Sequence, residues 1–141
     1  MASWYTNRLM TARSVPSSLP SVPPLVLCAL GWLVPGAAHA WLGRRDKALI
    51  FLVTLVALFA AGIWLEGRIF PIEPSQPLVA LAALANLGIG LPYFVAWAAG
   101  LGAGNVVAVS YEYANTYLIV AGLLNALVVL DAYDIAIGRK P

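Results

Sequence analysis

Charge is scarce in this chain: of 141 residues only 10% are Asp, Glu, Lys or Arg, against 62% hydrophobic. A soluble domain carries roughly 25% charged residues and about 45–50% apolar ones. Eight basic and six acidic side chains cannot cover a water-facing surface of this size. The shortage excludes an ordinary cytoplasmic enzyme and a disordered regulator. A formal net charge of +2, with its basic residues scattered, also lacks the positive surface that nucleic acid requires. Cysteine is nearly absent. Cys28 alone excludes an intrachain disulfide and any cysteine cluster for a metal. Histidine is equally sparse: His39 has no second histidine, cysteine or nearby carboxylate in sequence to complete a zinc site of three or four ligands.

What the chain has is long apolar runs. About 20 apolar residues in helix cross a bilayer core of about 30 Å. Four runs meet or approach that length, over about 25–42, 48–65, 78–101 and 116–135. The expected fold is therefore all-α: a polytopic membrane protein with about four transmembrane helices in one domain over 24–138. A polar Ser/Pro-rich tail (1–23) precedes it and a basic end (139–141) follows. Glu66–Pro77, with Pro71, Pro74 and Pro77, reads as an ordered non-helical loop.

The first run contains Pro35 and Gly36. Proline removes a helical hydrogen bond, so this segment is expected to be a kinked span or a re-entrant hairpin. A signal peptide is a rival reading, since Leu25–Val34 followed by Ala38-His39-Ala40 fits an h-region and a small-x-small cleavage site. Arg44, Arg45 and Lys47, directly after it, and the long Pro-containing tail before it, count against cleavage. The sequence before Cys28 lacks the small residues of a lipidation site.

Few residues carry chemistry. His39, beside the Pro35 break, is expected to cap carbonyls that the break frees; ligation of a cofactor is its alternative role. Asp131 and Asp134 share a helical face and read as a solvated helix end balanced by Arg139 and Lys140. Glu112, between Tyr111 and Tyr113, reads as part of an interfacial belt. Gly100, Gly102 and Gly104 lack both the spacing and the strand-to-helix setting of a nucleotide loop. Gly100 with Gly104, and Gly122 with Ala126, have the small-x-x-x-small spacing that lets helix backbones approach in lipid. Asn86 and Asn125 supply interhelical hydrogen bonds of about 0.6–2 kcal/mol. Neither a Ser-His-Asp order nor H-E-x-x-H nor a phosphate loop is present, and no catalysis and no cofactor are expected.

The stretch LVPGAAHAWLGRRDKALIFL resembles a pattern in small bacterial membrane proteins of unknown function, P-G-x-G-H-x-Y-L-G-R followed by an apolar helix. It matches at Pro35, Gly36, His39, Leu42, Gly43 and Arg44, with Trp41 in place of the tyrosine and Ala38 in place of the second glycine. More distantly it is similar to the two-transmembrane-helix domain family, with core G-x-H-R-F-Y-L-G, from which it differs by one residue between histidine and glycine. The resemblance covers about Leu25 to Trp64 and implies a helical hairpin with a short linker, with no assigned reaction.

The composite expectation is a non-enzymatic structural or accessory subunit of a cell membrane, the bacterial inner membrane first, bound to lipid and to other membrane proteins or to itself. One alternative is a small transporter or channel with a polar pathway through Pro35, Pro92, Asn86, Asn125 and Asp131. A second is a cofactor-holding subunit using His39. Four spans would place the C-terminus opposite the Gly43–Lys47 turn, and the density of basic residues in that turn assigns it to the cytoplasm.

Overall fold

The computed structural model describes residues 22–141; most of the polar tail therefore lies outside the described residues. Among the described residues six helices follow one another: α1 (Pro24–Leu33), α2 (Ala37–Trp41), α3 (Arg45–Trp64), α4 (Pro77–Leu87), α5 (Leu91–Ala98) and α6 (Tyr111–Ala136). Among the described residues the only β contact is a single bridge between Arg68 and Ala103. Prolines sit in the first turns of α1, α4 and α5, where the missing N–H would be unpaired in any case.

Two of the helices, α3 and α6, are long and apolar enough to cross a membrane. At 1.5 Å per residue they measure ~30 and ~39 Å. They run antiparallel. The Ser110 hydroxyl, just before α6, donates to the Leu65 carbonyl at the end of α3 (3.1 Å). At the other end, the Arg44 N–H bonds the His39 carbonyl (2.8 Å), and His39 in turn meets Asp131 of α6 at 3.0 Å.

The other two expected spans are broken. The run over 78–101 is two helices bent by 107° at Gly88–Gly90. Gly90 has φ 78°, a conformation that glycine adopts without the penalty of a Cβ. The chain then returns to the end from which α4 started, since the Ile69 N–H donates to the Gly102 carbonyl (2.8 Å) and the Asn105 N–H to that of Glu66 (3.0 Å). The run over 25–42 breaks at Val34–Gly36 and folds back. A Cβ on Gly31 would meet Ala38 Cβ at 3.0 Å and Val129 of α6 at 3.5 Å. α1, at 10 residues, is ~15 Å long.

This arrangement gives the molecule two ends of opposite character. Arg44, Arg45, Lys47, Arg139 and Lys140 gather at one, with Asp46, Asp131 and Asp134. Glu66, Glu73 and Glu112 share the other with Arg68. The expectation that the C-terminus lies opposite the Gly43–Lys47 turn is overturned, because Lys140 binds Asp131 (2.7 Å) beside His39. Four full crossings were counted from apolar length, and apolar length does not register a chain that turns back half-way.

The core lies where α3 and the Gly88–Gly90 break meet α6. Leu55 and Phe59 of α3, Ile89, and Leu118, Ala121 and Val128 of α6 form one cluster. Gly122 allows the closest approach: a Cβ there would stand 1.6 Å from the Ala85 carbonyl oxygen. Its expected partner Ala126 is instead exposed. Gly100 and Gly104 are not a helix-packing pair, since both follow α5 with φ 67° and 76°. Gly122→Ala is expected to abolish the monodisperse folded species in detergent, whereas Ala126→Leu leaves its melting temperature within a few degrees. A stable Gly122→Ala protein would show that α4 does not seat on α6 at this distance.

Candidate functional site

Asn125 is the polar centre of the molecule. It sits on the buried face of α6 and is 0% exposed. A primary amide has two N–H donors on one nitrogen, and here both have acceptors. Nδ2 donates to the Trp32 carbonyl (3.2 Å) and to the Gly88 carbonyl (2.9 Å). These carbonyls belong to the two breaks, at the end of α1 and just after α4. A helix end leaves its last carbonyls without intrahelical partners, and away from water each costs several kcal/mol. Asn125 satisfies one from each break. The Trp32 indole N–H then donates to the Leu87 carbonyl (3.1 Å), so a single tryptophan joins the two ends by main chain and side chain. Its ring also lies edge-on to Phe94 of α5. Gly90 is forced by this contact as well, because a Cβ would meet the Trp32 carbonyl oxygen at 1.9 Å.

A second polar group closes the basic end. His39, 0% exposed, bonds through Nε2 to Asp131 Oδ2 at 3.0 Å, and Lys140 Nζ donates to Asp131 Oδ1 at 2.7 Å. In the Nε2–H tautomer the imidazole donates to the carboxylate. Nδ1 is buried without a partner on a ring that meets Phe51 edge-on at 5.0 Å between centroids. The expectation that His39 caps carbonyls freed by Pro35 is therefore corrected: Asn125 does that work for Trp32, and His39 ties the returning hairpin to α6. The Asp131 carboxylate raises the Lys140 ammonium above the ordinary lysine range, by its hydrogen bond first and its charge second. The Lys140 contact thus holds at neutral pH and is released as pH rises through that raised value. Asp134 has Arg139 at 3.8 Å.

Around Arg68 lies a third group. Its N–H donates to Asn115 Oδ1 (2.8 Å), and its carbonyl accepts from Asn86 Nδ2 at 3.5 Å. Asn115 was not singled out in the sequence; its place seven and ten residues before Gly122 and Asn125 was the available signal. Asn105 and Glu66, joined at 2.9 Å, were missed too, and nothing in their spacing announces the pair.

The remaining motif residues have local roles. Pro35 and Gly36 form the buried turn of the hairpin, and Gly36 admits Ala48, whose carbonyl would lie 2.4 Å from a Cβ. Trp41 is 56% exposed. Leu42 ends α2, Gly43 turns with φ 79° and Arg44 precedes α3. Among the described residues no three His, Cys, Asp or Glu side chains are placed to hold a metal ion.

Two long apolar helices and two broken segments tied together by buried asparagines define a class: a small all-helical membrane protein with interrupted helices. Residues 26–141 match a family of unknown function, DUF6677, and the chain belongs to that family. No curated protein and no solved structure matches it.

Asn125→Leu strands both carbonyls, and thermal unfolding in detergent should show a loss of about 2–4 kcal/mol. His39→Ala should cost less, about 1–2 kcal/mol, and His39→Gln, which retains a donor, less again. Equal melting temperatures for wild type and Asn125→Leu would remove Asn125 from the centre of the structure. A visible absorption band lost in His39→Ala would make His39 a cofactor ligand.

Proposed function

We propose that the chain is a multi-pass integral membrane protein of the bacterial inner membrane and a non-enzymatic structural or accessory subunit that binds other membrane proteins or itself. The observation that carries this reading is the fate of the polar side chains. Asn86, Asn115 and Asn125 are bonded to the chain's own backbone, and His39, Asp131 and Lys140 to one another. A crevice of about 690 Å³ is lined by apolar residues, the Trp64 indole being the one polar group among their side chains. Meanwhile only 22% of the most apolar stretch of α3 and 33% of that of α6 is buried. Leu123, Leu127 and Leu130 of α6 point outward, with Ala126 exposed between them. Such a face suits lipid or a partner helix. The likeness of the Pro35–Arg44 stretch to small hairpin proteins without an assigned reaction is in keeping with this role.

The transporter reading has one point in its favour, the two broken segments that meet at Asn125, as interrupted helices do at transporter sites. Against it, only Pro35 and Pro92 of its five pathway residues line the crevice.

α3 and α6 are the two crossings in this reading, with α1–α2 and α4–α5 as half-way hairpins. Among the described residues, five basic side chains then share one face of the membrane and Arg68 is on the other. That asymmetry assigns the Arg44–Lys140 end to the cytoplasm. In a Cys28→Ala background, single cysteines at Asp46, Ser75 and Pro141 report the topology. An impermeant thiol reagent on intact cells should label Ser75→Cys and spare both Asp46→Cys and Pro141→Cys. Labelling of Pro141→Cys together with Ser75→Cys would refute two crossings. For the subunit role, a photo-crosslinking residue at Leu127 should yield a discrete higher-mass adduct in membranes, absent when the probe replaces buried Ala121. A chain that stays free of adducts at Leu127 and purifies as a monomer would rule the role out.

A further inference from the structure

α3 and α5 do not form a close helix–helix seam; the crevice lies between them. Its inner end is made by Pro35 and Leu91, residues of the two breaks, and its outer end by Trp64 and Leu101. Along α3 it extends from Leu52 to Trp64, ~18 Å by helical rise. The hydrocarbon layer of a single leaflet is about half of ~30 Å. The crevice is thus as deep as one leaflet, starting at the Glu66 end and stopping near the level of Asn125. The crevice suits an apolar occupant, since a bound water needs two to four polar partners and the lining side chains offer one, the Trp64 indole N–H.

The outer end has the chemistry of a headgroup zone. Trp64 is 83% exposed, and its amphipathic ring suits the membrane interface. Arg68 follows Trp64 by four residues, past the end of α3, and its backbone bridges to Ala103, two residues from Leu101. It is the basic residue of that end and forms no ion pair among the described residues. The Arg68 side chain is exposed and its backbone is held close to Leu101 at the mouth of the crevice, and a guanidinium is complementary to the phosphate of a lipid headgroup.

We propose that the crevice is a phospholipid site, which takes one acyl chain from the leaflet at the Glu66 end and sets the lipid phosphate at Arg68. The site goes beyond the subunit role and rests on the membrane placement above. Ala60, on the wall of the crevice, is the residue through which to fill it.

Full-length protein reconstituted in phosphatidylglycerol vesicles and then released from detergent for native mass spectrometry should retain one lipid per chain. Ala60→Trp should lower that retention at least fivefold and Arg68→Gln about threefold. Leu81→Trp, on the exposed side of α4, should leave it unchanged, with all variants checked for an unaltered melting profile. A phosphatidylglycerol carrying a diazirine in its acyl chain should label α3 and α5 around Val56, Ala60 and Val95 more heavily than Leu123 and Leu127. Equal labelling of the two faces, or full retention in Ala60→Trp, would overturn the lipid site while leaving membrane insertion intact. No labelling on either face would instead overturn the membrane placement. Disulfide-linked dimers formed through Val95→Cys at the expense of bound lipid would assign the crevice to a second copy and also overturn the proposal.

Discussion

Breaking an apolar helix inside a bundle exposes carbonyls that nothing in a hydrocarbon environment can satisfy. This chain breaks two, and one side-chain amide answers both. The two N–H bonds of Asn125 reach Trp32 on one side and Gly88 on the other, and the rest of the architecture is arranged around that junction. Gly122 brings α4 close enough for Gly88 to arrive, and Gly90 lets the chain pass beneath the Trp32 carbonyl. The Trp32 indole closes the loop on Leu87. These interactions are coupled, because losing the amide leaves two separate breaks uncapped at once.

The basic end is governed by a different constraint. α2 has only five residues, too short to be held by helix propagation alone. Its position is fixed from outside, by His39 on Asp131 and by Ala48 seated against Gly36. Lys140 returns from beyond α6 to the same carboxylate, so the hairpin, the long helix and the C-terminal residues converge on one side chain. Asp131 meets an imidazole on one oxygen and an ammonium on the other.

Composition was enough to read the helical class and the membrane-like character, since fourteen charges leave no other option for so apolar a chain. The two continuous helices were legible to within a few residues: expected over 48–65 and 116–135, they occupy Arg45–Trp64 and Tyr111–Ala136. The broken runs were legible only in part. Pro35-Gly36 announces its break through chemistry, whereas Gly88-Ile89-Gly90 sits in an unbroken apolar run where hydropathy sees no change. Asn125 was recognised as a hydrogen-bonding residue, but its partners are backbone carbonyls 93 and 37 positions away, and no local pattern marks an acceptor that exists only because a helix stops. Gly100 and Gly104 misled for the same reason, their spacing having meaning only on a helix that has in fact ended at Ala98.

The unequal lengths of α3 and α6 have a consequence for the bilayer itself. α3, at 20 residues, equals a hydrocarbon core of ~30 Å only when Arg45, Asp46 and Lys47 of its first turn are counted. α6, at 26 residues, is ~9 Å longer and carries Asp131 and Asp134 in its last turns. Paired antiparallel with α3, it must overhang the core or tilt, and the overhang lifts the His39–Asp131–Lys140 junction toward the headgroups, where a carboxylate and an ammonium are tolerated. A thicker membrane would draw that junction inward at a cost that grows with each ångström of mismatch. With the two crossings proposed above, the most charged contact of the molecule is the part that a change in film thickness reaches first.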